Sequence, residues 1–567
     1  MEGSTLINKV YRKDLIPNII MVLGATVNVF FDGILVGQRL GDAGLAAVNQ
    51  CLPFYLVMCT VGGLIATGAM ILSSVEAGEN RMDQAKRFYS VGLFLSIMAS
   101  IIVCGGTFVF AKPIAKLLST PLTYSYVYSY LTVTALFGVF KVLQYNAVFY
   151  LRLEGKLKRS SFTMILMTVM NIVLDYMYLF VWNKGIGGAA LASGIATATA
   201  CILALIFLYT DHSNFALLPK LPKAKEVVSI CVQGSQAAFN NITDALKIFL
   251  FNQIFKSIGI DSLVAIFAIL SNLNEFSICI QNGVPQTGTA MISLLYGGRE
   301  FQGIRALMKQ ELKSGVVLSA AFAILCIMTT DYIPALFGSS LSCTFAILMF
   351  AASIIPGTMN SIYANYYNTI LRIYLANTST ILRGLVFPVG FLFALRGIPQ
   401  YIWMAYPLAE FSTMLVMLLL TAFPREKRLC RFFLVDVEYE KGANIYSKIV
   451  QAETGDISDA SQGVSDFCET FELSPKKSMC LSLAIEEILV IIAEKSLEFK
   501  GEMDMRVFKH DDDIILRIRS GGNYYNPFKQ NKEEAGLDYL GVDMIEKMAQ
   551  KIDYQSTLGI NTLLVYI

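Results

Sequence analysis

Four polar residues interrupt apolar segments in the first 200 residues of the sequence: Asp32, Asn171, Asp175 and Ser193. A charge at the centre of a membrane helix costs about 2.5–3.5 kcal/mol on insertion scales, so an acid in such a segment is a functional candidate. Asn171 and Asp175 are four residues apart and therefore share one face of a helix. Two carboxylates, an amide and a hydroxyl suit a hard monovalent cation, or a proton that the two acids share. Asn171 and Ser193 have a simpler alternative role, which is to hydrogen-bond neighbouring helices together.

The second half of the apolar region contains three further charged candidates. Asp244 and Lys247 are three residues apart and could neutralise each other as a structural pair, or Asp244 could be functional. Glu275 has no partner at helical spacing, and we expect it to line a cavity. We predict no catalytic residue and no cofactor, because the only histidines are His212 and His510 and the eleven cysteines are scattered without a CxxC pair.

The composition indicates a membrane protein. The chain has 567 residues, of which 55% are hydrophobic and 16% charged, and its mean hydropathy is +0.56. We count about twelve apolar runs of about 20 residues or more, each long enough to cross a hydrocarbon core of about 30 Å. They are expected near residues 15–38, 47–76, 88–111, 124–151, 161–182, 187–209, 228–255, 262–294, 314–336, 342–371, 374–395 and 399–423.

Basic residues cluster in alternate loops, for example around Lys86 and Lys156, which predicts that both termini are cytoplasmic in a bacterial plasma (inner) membrane. No small-residue cleavage site follows the first apolar run, so we predict a retained helix.

A weak internal repeat divides the apolar region. The segment that begins at Thr67-Gly68 and ends in basic residues recurs about 220 residues later, beginning at Thr287-Gly288. Six helices per half with the same orientation imply a parallel repeat about an axis normal to the membrane, with the cavity between the halves. We assign the halves to residues 1–215 and 216–425.

After Pro424 the composition becomes that of a solvated domain. We predict a linker at 426–444 and an α/β sandwich domain at 445–567. Its expected helices are at 457–471, 476–497 and 540–551, and its expected strands are at 504–509, 513–519, 553–557 and 562–567.

The segments "NVFFDGILVGQRLGDAGLAAVN" (28–49), "TGAMILSSVEAGENRMDQAKR" (67–87) and "NIVLDYMYLFVWNKGIGGAALASGIA" (171–196) resemble the multidrug and toxic compound extrusion (MATE) family. More specifically they resemble the prokaryotic branch with an aspartate on helix 1. The resemblance implies a cation site, for Na⁺ if the protein is sodium-coupled, formed by Asp32, Asn171, Asp175 and a helix 6 hydroxyl. Here that hydroxyl belongs to Ser193 instead of the usual threonine. It also implies antiport: Na⁺ or H⁺ enters and an organic, often cationic, amphiphile leaves by alternating access.

The C-terminal segments 482–495, 516–528 and 535–567 are similar to the ATP-binding domain of histidine kinases and anti-sigma-factor kinases. Glu487 matches the first nucleotide-binding box, but Ile491 replaces the asparagine that holds Mg²⁺. Gly521 replaces the adenine-binding aspartate before Gly522. The third box retains Gly536 and Gly541. The resemblance therefore implies a degenerate domain that does not bind nucleotide.

These observations predict a secondary active exporter, not an enzyme, which is monomeric and acts on small organic compounds in the lipid bilayer. They predict no nucleic-acid partner, whereas a cytoplasmic partner of the C-terminal domain stays open. One alternative is a membrane-anchored signalling kinase or receptor, which would need a phospho-acceptor histidine and intact nucleotide boxes. A second is a lipid-linked oligosaccharide flippase, which would need several basic residues in the cavity helices, where we find mainly Lys247.

Overall fold

The computed structural model describes residues 5–210, 215, 218, 221–336, 343–422, 445–469, 475–497, 501–510, 513–529 and 540–567. His212, Gly536 and the predicted linker lie outside these residues. Within the described residues, twelve long helices form the bundle. In chain order they are α1 Leu6–Gly41, α2 Ala46–Gly78, α3 Met82–Val109, α4 Tyr124–Leu153, α5 Leu157–Val181, α6 Gly185–Tyr209, α7 Ala224–Ile258, α8 Ser262–Gly297, α9 Phe301–Met328, α10 Thr344–Thr369, α11 Ile373–Leu395 and α12 Pro399–Thr421.

Eleven helices of the described chain are long and apolar enough to cross a membrane, one fewer than the sequence predicted. The exception is α7, which is a helix of 35 residues but carries more polar side chains than the other long helices. Several of these side chains, including Gln236, Asn240 and Asp244, line a cavity. The lower hydropathy of α7 therefore reflects its position beside polar space.

Two turns of the bundle recur at the spacing of the sequence repeat. Asn80 (φ 60°), after α2, and Arg299 (φ 54°), after α8, are left-handed residues about 220 positions apart. Gly155 (φ 75°), after α4, and Leu371 (φ 60°), after α10, form the second such pair. Left-handed backbone is uncommon outside glycine, so its recurrence at matching positions supports two structurally related halves.

The two halves meet where α2 crosses α8. A Cβ atom on Gly78 would lie 2.1 Å from the carbonyl oxygen of Leu294, and one on Gly297 would lie 2.1 Å from that of Val75. The contact is reciprocal, as expected for two repeats related by an axis along the bundle. It lies at the end of the bundle that carries the turns after α2, α4, α8 and α10. We call this end the tail side, because the C-terminal domain also lies there.

The C-terminal domain contains a five-stranded antiparallel sheet in the order β1-β2-β3-β5-β4. The strands are β1 Ile445–Gln451, β2 Glu502–His510, β3 Asp513–Ser520, β4 Lys551–Thr557 and β5 Ile560–Tyr566. Helices α13 Thr454–Glu469, α14 Pro475–Lys495 and α15 Leu540–Met548 complete the domain. Apolar side chains of the sheet and of all three helices form one core. Strand β1 was not predicted from the sequence, while the other strands and the helices lie within a few residues of their predicted positions.

Candidate functional site

The four residues predicted to bind a cation come together in the first half of the bundle. Asp32 on α1, Asn171 on α5 and Ser193 on α6 line a cavity with about 1090 Å³ of space not occupied by atoms. Asp175, one turn after Asn171, is not among the lining residues and has 1% of its surface exposed.

The polar groups of this cluster are only partly satisfied by the protein. The Asn171 amide donates a hydrogen bond to the Ser193 hydroxyl (2.8 Å), which leaves the amide oxygen without a partner among the described residues. Asp32 lies beside Asp175 and Ser193. Neither oxygen of Asp175 accepts a hydrogen bond of ordinary geometry from a described residue. Buried oxygens without donors are costly, and a cation or proton would remove that cost.

The donor set fits Na⁺ or a proton. Its ligands are carboxylate, amide and hydroxyl oxygens, which hard cations prefer. Within the described chain, no group of three or more His, Cys, Asp or Glu residues could hold a metal ion, so a bound Na⁺ would also need the oxygens of Asn171 and Ser193. Asn171 and Ser193 do hydrogen-bond α5 to α6, so the structural role considered for them is observed as well.

Sequence reasoning missed a cation in this cavity. Lys141 on α4 also lines it, and its ammonium group lies 5.4 Å from the ring centre of Tyr55 and 6.0 Å from that of Tyr145. Its charge acts on Asp32. The signal was a single lysine inside the apolar run "LFGVFKVLQ". The two acids thus have no basic partner at helical spacing on their own helices, but a neighbouring helix supplies one.

The three candidates of the second half also share a cavity. Asp244 and Lys247 on α7 and Glu275 on α8 line a space of about 1500 Å³. The Lys247 ammonium and the Asp244 carboxylate form an ion pair at 2.7 Å. Glu275 lies near both, and the pair already neutralises Lys247 within α7. Both proposed roles of Asp244 are thus compatible with the structure, because the paired residues face the cavity.

A second ion pair in this cavity was not predicted. Arg383 on α11 donates to Glu410 on α12 at 2.9 Å and to the side-chain oxygen of Gln281 on α8. Arg383 lies in a π-helical turn, Leu382–Val386, a feature often found at functional sites. Both charges interrupt apolar runs, which was the available signal. Arg383 and Lys141 are thus two further basic residues of the cavities, and Lys247 is not the main one.

The degenerate nucleotide-binding boxes lie in two parts of the C-terminal domain. Glu487 and Ile491 are on α14, and Ile491 is 4% exposed within the apolar core. Gly521 and Gly522 follow β3, and Gly541 is in the first turn of α15. A Cβ on Gly521 would lie 3.5 Å from the Leu6 side chain of α1. This box therefore faces the bundle.

Comparisons with known proteins agree with this architecture. Residues 17–177 match the family model described as MatE. The chain is 24% identical over 422 residues to the multidrug export protein MepA of Staphylococcus aureus, covering 72% of this chain and 91% of MepA. A crystal structure of a MATE protein in complex with MaL6 has a TM-score of 0.69 at 18% identity, covering 73% of this chain and 96% of that one. An outward-facing multidrug resistance MATE transporter of the MOP superfamily has a TM-score of 0.68 at 18% identity and the same coverage.

The bundle thus has the MATE fold, and these matches support a MATE-type membrane transporter. MATE multidrug efflux proteins are secondary transporters, not enzymes, which agrees with the predicted class. The matches give no support to the kinase or flippase alternatives. The matches do not test three further predictions: the assignment to the prokaryotic branch, the identity of the coupling ion, and the kinase-like type of the C-terminal domain. These stay predictions.

Proposed function

We propose that the protein is a cation-coupled antiporter that exports organic, amphiphilic or cationic compounds from the cell by alternating access. The observation that carries this proposal is the adjacent Asp32–Asp175 pair in the cavity of the first half. Two neighbouring carboxylates repel each other unless a cation or proton lies between them. Binding and release of Na⁺ or H⁺ at this pair is therefore a suitable coupling step.

Movement of α1 would link the ion to the substrate. Asp32 is on α1, whereas Asn171, Asp175 and Ser193 are on α5 and α6, which hydrogen-bond to each other. A cation or proton between Asp32 and Asp175 favours the approach of α1 to this pair of helices. An ion with different affinity for two arrangements of α1 shifts the population between them, which is the thermodynamic requirement for coupling.

The second cavity supports a cationic substrate class. Both of its basic side chains, Lys247 and Arg383, are paired with carboxylates. Glu275 therefore leaves the cavity with an excess of negative charge, and the nearby amide of Asn282 can hydrogen-bond a ligand. The basic residues of the loops support a cytoplasmic tail side in a bacterial cell, as expected from the positive-inside rule. We expect a monomer to suffice for transport.

Vesicle transport tests this function, with ethidium as the organic cation. The full chain is reconstituted, and an inward-directed Na⁺ gradient and a proton gradient are imposed separately. We expect one gradient to drive ethidium movement, and Asp32→Asn to abolish that drive. Asp331→Asn, which changes an exposed acid outside both cavities, should behave as the unchanged protein. Full ion coupling in Asp32→Asn would contradict the proposal, and ion-independent movement of anionic lipid-linked sugars would favour the flippase alternative.

We further propose that the C-terminal domain is of the histidine-kinase ATPase type and no longer binds nucleotide. The apolar Ile491 stands at the Mg²⁺-ligand position, and Gly521, at the adenine-binding position, faces α1. Calorimetry of the full chain with Mg·ATP tests this. We expect no heat of binding at micromolar ligand, and micromolar affinity would overturn the proposal.

A further inference from the structure

The C-terminal domain is docked on the bundle through the ends of its strands and one hairpin. In the first half, the Gln555 amide donates to the Ala77 carbonyl oxygen at 3.1 Å and to the Asn80 side-chain oxygen at 3.3 Å. The backbone N–H of Leu558 donates to the Leu153 carbonyl oxygen at 2.8 Å. Leu558 and Ile560, in the β4–β5 hairpin, belong to the same apolar core as the bundle helices. The domain therefore contacts the turns after α2 and α4.

The backbones at this contact approach very closely. A Cβ atom on Gly155, in the turn after α4, would lie 2.1 Å from the backbone nitrogen of Gly559. Both glycines have positive φ, 75° and 70°. This approach leaves no room for a side chain at Gly155, so the hairpin fits one position on the first half.

The same domain contacts the second half through a buried charge cluster. Glu300, in the turn after α8, forms ion pairs of 2.7 Å with Arg517 and of 2.7 Å with Arg519, both on β3. Arg517 also pairs with Asp504 on β2 at 3.2 Å. Glu300 is 4% exposed and both arginines are similarly buried. Removing one partner of a buried pair leaves an uncompensated charge, which is much more costly than losing an exposed pair.

The docked domain thus contacts both halves on either side of the α2–α8 crossing. Val75 and Gly297 are residues of the crossing itself. The domain contacts Ala77 and Asn80, a few residues after Val75 in the chain, and Glu300, three residues after Gly297. The turns of Asn80 and Arg299–Glu300 are the repeat-related turns described above. A rigid domain bound to both turns keeps the distance between them short.

We propose that the C-terminal domain restrains the two halves against separation on the tail side, and that it must release Glu300 before this side can open. The inference rests on the proposed alternating-access function only for its biological purpose. The restraint itself is a property of the fold, because separation of α2 from α8 at Gly78 and Gly297 moves the turn of Asn80 away from Glu300. The domain is held to the first half by several separate contacts, including a Lys9–Glu502 ion pair of 2.8 Å, so the Glu300 ion pairs to the second half are the contact that we expect to be released.

Distance measurements between spin labels test the restraint without requiring transport. Labels are placed at Asp83→Cys and Arg305→Cys, exposed positions at the tail-side ends of α3 and α9. The background replaces Cys231, which is exposed, together with Cys430 and Cys480, by serine. In the full chain we expect one short distance. Glu300→Ala should increase the population with a longer distance about fivefold or more, the lower range of ordinary coupling between sites.

A matched control and a trapping variant complete the test. Glu79→Ala removes a glutamate that pairs with Arg81 of its own turn, and it should leave the distances unchanged. In a second, full-length protein, Glu300→Cys and Arg519→Cys replace two side chains that touch. Copper phenanthroline first oxidises the two thiols to a disulfide, and maleimide spin labels, whose thioether bonds resist reductant, are then attached at positions 83 and 305. The disulfide should remove the longer distance, and reductant should restore it. Equal distance distributions for Glu300→Ala, Glu79→Ala and the parent chain would overturn the restraint, whereas loss of ethidium transport alone would not.

Discussion

At the scale of single residues, the first cavity combines two carboxyl groups with one ammonium group. If Asp32, Asp175 and Lys141 are all ionised, their net charge is −1, and one further positive charge would neutralise it. The ammonium group of Lys141 and the coupling ion are therefore both attracted to the Asp32 carboxylate, so the lysine weakens binding of the ion. The oxygens of Asn171 and Ser193 add ligands without adding charge, so they set the geometry of the site and leave its charge unchanged.

Replacing Lys141 by methionine tests this competition. The side chain keeps its length beside Tyr55 and Tyr145 but loses its charge, so the carboxyl pair should attract the coupling cation more strongly. A charge interaction of about 1 kcal/mol or more corresponds to an increase of several-fold in apparent affinity. The cation concentration that gives half-maximal ethidium transport measures it. Lys112→Met changes an exposed lysine and is the control, and equal half-maximal concentrations for both variants would contradict the assignment.

The charge of Glu300 predicts how the docked domain responds to acid. Burial raises the pKa of Glu300, but Arg517, Arg519 and Arg506 outweigh burial, so the pKa lies below the ordinary value of 4.5. Asp504 faces the same cluster through Arg517. A lowered carboxyl pKa stabilises docking fully above about pH 4.5, and this contribution is lost as the pH falls through the lowered pKa.

We therefore expect docking to be constant between about pH 5 and pH 8 and to weaken below about pH 4. Spin labels at Lys158→Cys in the bundle and Glu469→Cys in the C-terminal domain, both exposed, report the separation. Because other acids also titrate, Glu300→Gln supplies the reference. Its docking should be weaker at neutral pH and should change less with acid, and parallel pH curves for the two proteins would argue against a role for Glu300.

At the scale of elements, the sequence predicted most helices because apolar length and loop charge are local properties. The family resemblance predicted that Asp32, Asn171, Asp175 and Ser193 lie close together, and three of them line one cavity with Asp175 beside Asp32. Lys141, Arg383 and Glu410 were missed, because an isolated charge in an apolar run does not indicate which helix face meets a cavity. Strand β1 was missed because its residues are mostly half-buried, so it lacks the apolar alternation of an inner strand.

The α2–α8 crossing supplies a prediction for an element contact. Gly297→Ala places a methyl group against the carbonyl of Val75, a backbone atom that cannot move aside as a side chain can. Overpacking of this kind typically costs about 1–3 kcal/mol. We expect the population with separated labels at positions 83 and 305 to increase, because the strained crossing favours release of the Glu300 contact. Gly390→Ala, with no atom within 4 Å of the new methyl group, is the control, and identical distances would indicate that the crossing is looser than described.

At the scale of the whole molecule, the docking of the C-terminal domain could not be predicted from the sequence. The segment "LRIRS" predicts a strand with polar residues on one face, and such a face is ordinarily exposed to water. Its arginines are buried only because a glutamate some 220 residues earlier lies opposite them. Pairing between residues so distant in sequence leaves no local pattern. The composition correctly distinguished the C-terminal domain from the bundle, but it did not predict where the domain docks on the bundle.

Contact of one domain with two repeat-related turns has a consequence for measurement. Linkage is reciprocal, so a compound that favours an open tail side must weaken domain docking by the same factor by which docking weakens its binding. A fluorophore on the C-terminal domain would then report the occupancy of a cavity that it never touches. Candidate substrates could be ranked by titration in detergent, without a membrane or an ion gradient.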